Sequence, residues 1–127
     1  MWFDSPAVRT LIDLAFAEDA ATGDAATEAT VASEVTGSAT VYARSDAVFC
    51  GGPLFAAVMV RRDPTLVVRL LAVEGERVQS GDRVIEIEGS LRSLLTAERP
   101  ALNFLGRLAG IATHTDRCVA AIAAHRA

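Results

Sequence analysis

There is no lysine in this chain. All twelve of its basic residues are arginines, set against sixteen Asp and Glu, for a net charge of −4 over 127 residues. The missing amine excludes Schiff-base catalysis by this chain, a phosphate-loop lysine, and any carrier function that needs a modified lysine. Nor do the arginines cluster densely enough for a nucleic-acid footprint, so no nucleic-acid partner is expected. Cysteine is scarce too. Cys50 and Cys118 lie far apart, outside any metal-ligand spacing and too few for a disulfide framework. No apolar run reaches the roughly 18 residues of a membrane span. The opening "MWFDSPAVRT" lacks the basic and apolar segments of a signal peptide. A cytoplasmic, reducing setting with no membrane contact is the expectation.

What is present is enough for a core: 51% of the residues are hydrophobic, in a chain the size of one ordinary domain. Ser5-Pro6 is a good helix start, and Val8, Leu11, Ile12, Ala15 and Phe16 then recur on one helical face. "TGDAAT", with Gly23 and Asp24, reads as a turn. The alternation around Val41 and Ala43 predicts a strand over about Ser38–Arg44, continuing or re-forming to Cys50. Gly51-Gly52-Pro53 punctuates it. "LFAAVMVRRD" predicts a short helix and Thr65–Val73 a strand. "EGERVQSGDRVIEIEG" reads as glycine-bearing turns around two strands, with Val84, Ile85 and Ile87 on the second.

From Ser90 onward the pattern is helical. Thr96 is the expected N-cap of the main helix, with Glu98 in its first turn and Pro100 close to its start. That placement puts Arg99 where a cation opposes the helix dipole, unless something negative meets it. Leu102, Phe104, Leu105, Leu108 and Ile111 occupy most of the circumference, so these helices need neighbours on most sides. The α+β unit over residues 1–95 can cover one side only. The chain is therefore expected to continue beyond these residues, and taken alone to expose enough apolar surface to associate.

Arg99 shares a helical face with Asn103, Arg107, Gly110, His114 and Arg117. This stripe is either a solvated polar face or a guanidinium aimed at a carboxylate or phosphate, and spacing does not choose between them. His114 and Cys118 are four apart, but two ligands do not make a zinc site. Gly51-Gly52 could cradle phosphate, although a tight turn is the simpler reading. The 74–89 segment is similar to the hairpin of biotinyl and lipoyl carriers in shape alone, since the carrier lysine is missing.

Three blocks carry a more specific likeness. "LIDLAFAEDAATGDAAT", "ARSDAVFCGG" and "VEGERVQSGDRVIEIEGSLRSLLTAERPALNFLGRLAGIATHT", in that order from about Leu11 to Thr115, resemble quinolinate phosphoribosyltransferase, with "GDAAT" for the usual "GDIT" and "LAGIAT" for "LSGIAT". The resemblance implies a hammerhead, barrel-sandwich-like α+β domain over residues 1–95. Residues 96–127 would then be the first helices of an α/β barrel that needs about 200 further residues. It implies a dimeric enzyme joining quinolinate to phosphoribosyl pyrophosphate with magnesium, releasing carbon dioxide and pyrophosphate and forming nicotinate mononucleotide for NAD synthesis. The arginine of the "ER" pair, Arg99, would bind a quinolinate carboxylate in the neighbouring subunit's site. The catalytic and magnesium groups would lie after Ala127, so the 127 residues alone are expected to be inactive. The alternatives are a molybdate-operon relative, which shares the "ER" and "GIAT" blocks, and a non-catalytic dimerisation module.

Overall fold

The computed structural model describes residues 2–20, 32 and 34–126. After a single 3-10 turn at Trp2–Asp4, helix α1 covers Pro6–Ala20. Strands β1 (Thr36–Tyr42) and β2 (Ala47–Val48) lead to helix α2 (Gly52–Arg62). Strands β3 (Val67–Leu70), β4 (Arg77–Val78) and β5 (Arg83–Ser90) follow, and helix α3 (Leu91–Arg126) completes the α+β arrangement. The "TGDAAT" turn lies outside the described residues. No closed barrel forms among them. No described helix is long and apolar enough to cross a membrane.

The sheet is antiparallel in the order β1-β5-β3. Its register sets Val41 and Leu70 on either side of Ile85, and Ala39 and Val68 on either side of Ile87. Strand β1 ends two residues earlier than the alternation predicts: the register slips between Val41 and Tyr42, and past Tyr42 the chain keeps backbone hydrogen bonds to this neighbour through Ala43, to Gly81 and Asp82 at 2.8 and 2.9 Å. Strand β3 is shorter than Thr65–Val73 for a local reason: Asp63 takes the backbone N–H and the hydroxyl of Thr65 at 2.9 and 2.7 Å, which makes that end a turn. The two strands of the 76–90 segment are present but do not form a hairpin with each other. Strand β4 pairs with β2, while β5 takes the centre of the larger sheet.

Phe55, Ile12, Met59, Ile85 and Val58 are the largest fully buried side chains, so the core lies where α1, α2 and β5 meet. Helix α3 closes it with Leu94, Ala97, Ala101 and Leu105.

Two expectations about the last helix are corrected. Thr96 is not an N-cap, and Pro100 is not near a helix start: α3 begins at Leu91 and runs through both as one helix, not several. The Thr96 side chain is buried. Its hydroxyl turns back to the carbonyls of Arg92 and Ser93 at 3.1 and 3.2 Å and meets Arg62 Nε at 2.9 Å. Packing overrides the local signal here. Burial of Leu94 and Ala97 fixes the first turns of α3 on α2, and that offsets the backbone hydrogen bond that Pro100 removes.

Helix α2 is held at both ends. At its start the Glu74 carboxylate accepts the N–H of Gly51 at 2.9 and 3.1 Å and that of Gly52 at 2.8 Å. A negative group at a helix N-terminus satisfies orphan donors and the dipole together. Gly51 has φ 102°, and a Cβ on Gly52 would come within 2.8 Å of the Phe49 ring, so both positions require glycine. At its end, Asp63 also accepts the Ser93 hydroxyl at 2.7 Å, tying α2 to the first turn of α3.

Glu74→Ala leaves two buried N–H groups without an acceptor and is expected to lower stability by about 2 kcal/mol. Chemical denaturation measures it, and an unchanged midpoint would show that the carboxylate braces nothing. Asp63 gives a pH signature. The Thr65 hydroxyl, then that of Ser93, then the Thr65 N–H hold its carboxyl below the usual carboxylate value. A depressed folded pKa contributes stability above the unfolded pKa and loses it as pH falls through the folded one. Ser93→Ala should therefore be less stable than the parent at neutral pH, and the gap should narrow as acid protonates Asp63; a gap that widens in acid refutes this account.

Candidate functional site

Because Leu94, Ala97, Ala101 and Leu105 face the core, the residues between them face away from it. Arg99, Asn103 and Arg107 are exposed, each one turn above the last. Helix α1 stands beside them. Its Ile12 is buried, while Leu11 and Leu14 remain more than half exposed and form a rim. Between the two helices lies a cavity of about 590 Å³. Glu18 and Asp19 line it from α1, and Arg99, Asn103 and Arg107 from α3, with Pro100 and Phe104 as apolar wall.

Arg99 is the ninth residue of α3, not part of its exposed N-terminus, so the dipole argument drawn from the sequence does not apply. The cation does meet something negative. Its Nη1 lies 3.7 Å from Asp19 Oδ1, a distance that admits an ion pair but no hydrogen bond. The Arg99 side chain is 70% exposed and that of Asp19 17%. The fork thus keeps its donors turned to the cavity and solvent. The sequence held no signal for Asp19 as this partner, since eighty residues separate the two.

The rest of the stripe diverges. Gly110, His114 and Arg117 border a second cavity of about 670 Å³ on the other flank of α3, floored by Val41, Val48, Val84 and Leu105. Two contacts fix that flank. The Thr113 hydroxyl accepts the Val48 N–H at 2.9 Å while donating to the Ala109 carbonyl at 2.7 Å, and Arg77 meets Asp116 at 3.0 Å. A Cβ on Gly106 or Gly110 would meet nothing within 4 Å, so no other part of the described chain approaches there.

His114 Nε2 and Cys118 Sγ are 3.7 Å apart, and no group of three or more His, Cys, Asp or Glu gathers among the described residues. No donor set for the magnesium that the resemblance implies gathers among the described residues. Cys50 is not poised as a nucleophile: burial, then the nearby Glu74 carboxylate, push its thiol up, away from the thiolate. The Gly51-Gly52 turn is no open phosphate cradle, because Glu74 already takes its N–H groups.

The family model for the N-terminal domain of quinolinate phosphoribosyl transferase matches residues 24–109, two thirds of the chain. The chain belongs to this family. A nicotinate-nucleotide pyrophosphorylase (carboxylating) from Oryza sativa subsp. japonica is 37% identical over 109 residues, covering 85% of this chain and 29% of its own length. A probable one from Synechocystis is 39% identical, covering 84% and 36%. Among solved structures, NadC from Streptococcus pyogenes superposes with a TM-score of 0.78 at 36% identity, over 82% of this chain and 37% of that one. The chain therefore spans about a third of the length of these relatives. Arg99, Asn103 and Arg107 all fall inside the matched segment.

The loose Arg99–Asp19 pair is not what holds α1 on α3. In a double-mutant cycle of Asp19→Asn and Arg99→Gln, followed by urea denaturation, the coupling should stay below about 1 kcal/mol, because the contact is too long for a hydrogen bond and its arginine is solvated. A coupling of several kcal/mol would make Arg99 a structural residue.

Proposed function

We propose that the protein carrying this domain is a phosphoribosyltransferase of NAD biosynthesis. It joins quinolinate to phosphoribosyl pyrophosphate, releases pyrophosphate and carbon dioxide, and forms nicotinate mononucleotide. The observation that carries the proposal is Arg99: an exposed guanidinium on a cavity wall, whose one ion pair among the described residues spans 3.7 Å, within the segment that matches the family. A guanidinium stays protonated through the working pH range, so its role is to bind and orient an anion, not to transfer a proton. It suits a carboxylate of quinolinate, which it can hold bidentately. Desolvated, such a contact is worth about 1.5–3 kcal/mol.

In this reading the enzyme is a homodimer and Arg99 serves the neighbouring subunit's site. Exposed apolar residues along α3 support it, with Ile111 65% exposed, Val119 60% and Ile122 58%. Residues 1–95 form the substrate and dimerisation domain and 96–127 lead into an α/β barrel, α3 carrying the chain across without a break. Magnesium would act with the pyrophosphate-bearing substrate, and no candidate donor set for it gathers among the described residues. The free thiols Cys50 and Cys118 fit a cytoplasmic setting.

The test is a nicotinate mononucleotide assay on the complete enzyme and on the 127-residue chain. The complete enzyme should turn over, and Arg99→Ala should raise the KM for quinolinate by about tenfold or more, the loss expected of one charged contact. The chain alone should show no turnover. Turnover by the chain alone, or an unaltered KM in the variant, defeats the proposal.

A further inference from the structure

Asp19 stands where a carboxylate is costly. It is the residue before the last of α1, at the end where the helix dipole opposes an anion. Its side chain is 17% exposed, whereas Asp13, Glu86, Glu88 and Asp116, the acids of other ion pairs, keep 26–55%. The cation it meets is Arg99, and both line the α1–α3 cavity.

That pair differs in kind from a closed one. Arg61 shows the closed form: its Nε and Nη2 donate to the two oxygens of Asp13 at 3.0 and 2.8 Å, so two donors are spent inside the chain. Asp19 stays 3.7 Å from Arg99 Nη1, close enough to attract the cation and too far to take a donor from it. A long side chain that is 70% exposed loses rotamer freedom when it grips a ligand, and a restraint applied beforehand lowers that loss. Asp19 can supply one. It is short, largely buried and rooted on a helix, so its charge is fixed in place. A fixed anion beside a solvated guanidinium narrows where the fork points and leaves its N–H groups for the ligand.

We infer that Asp19 is a positioning residue, which orients Arg99 for the substrate carboxylate without competing for it. This rests on the reading of Arg99 as a quinolinate ligand. No hydrogen bond joins the two residues, so the arriving carboxylate has none to break. Removing the acid therefore frees no donor and takes away only the restraint, which makes the effect on substrate binding a loss. Its size is that of a weak ion pair.

Initial-rate kinetics on the complete enzyme, with Asp19→Asn, Arg99→Gln and the double variant, tests the inference. Asp19→Asn should raise the KM for quinolinate about threefold, while kcat and the KM for phosphoribosyl pyrophosphate stay within about 1.5-fold. Asp19→Glu, which restores the charge, should recover part of the loss. In the Arg99→Gln background the Asp19→Asn change should add nothing to the quinolinate KM, because the residue through which it acts is gone. A purely structural role would instead lower the denaturant midpoint and leave the KM of one substrate no more affected than that of the other. A quinolinate KM that is unchanged or falls in Asp19→Asn, or that rises equally in both backgrounds, overturns the inference while Arg99 remains the ligand. If Arg99→Gln itself leaves the quinolinate KM unaltered, the reading of Arg99 fails, and the role of Asp19 fails with it.

Discussion

The close approach of α3 to α2 is the constraint on which the other features depend. Ala97 and Ala101 are fully buried, and their small side chains let Leu54, Phe55, Val58 and Met59 of α2 pack against the last helix. Leu94, Ala97, Ala101 and Leu105 make one stripe on α3. On an ideal helix the stripe of Arg99, Asn103 and Arg107 lies about 160° from it. Burying the first stripe therefore commits the second to face away from the core. A larger residue at Ala97 or Ala101 would push the helices apart or rotate α3, and either motion would re-aim the arginines. The polar face is a consequence of the apolar one.

The same constraint explains why Pro100 is tolerated ten residues into a helix. An isolated segment with this proline would end or kink there. In the folded chain the first nine residues of α3 are pinned independently, through the Ser93–Asp63 and Thr96–Arg62 contacts and through Leu94. The turn before the proline therefore does not have to be held by the backbone bond that the proline removes.

This shows what was readable in the amino-acid sequence and what was not. Periodicity located α2 and the central strand β5 because each buries a pattern of its own, Leu54 to Met59 and Ile85 with Ile87, and α1 through Ile12 with Val8 and Phe16 half-buried beside it, although Leu11 of the expected face stays exposed. It misplaced the start of α3, because Thr96, Glu98 and Pro100 imitate a cap and first turn, and only the packing against α2 reveals otherwise. It joined β4 to β5, which are neighbours in sequence, whereas β4 pairs with β2 some thirty residues away. The site divided in the same way. The stripe containing Arg99 and Arg107 follows from helical spacing alone. Its division between two cavities, and the pairing of Asp19 with Arg99, depend on where α1 and the β1–β2 segment come to rest.

Charge placement supports the view that the α1–α3 cavity, and not the glycine turn, is where an anion binds. The N-terminus of α2 is the site that general electrostatics would nominate for an anion. Here the chain fills it with its own carboxylate, Glu74, at three short contacts. An incoming phosphate there would have to displace a tethered anion. At the α1–α3 cavity the balance runs the other way. Asp19 meets the Arg99 guanidinium at 3.7 Å, too long for a hydrogen bond, and Arg107 on the same wall makes no ion pair among the described residues. A chain with four more acids than bases could have neutralised both. The helix terminus is thus satisfied from within by a tethered carboxylate, while the arginines of the α1–α3 cavity stay exposed to solvent.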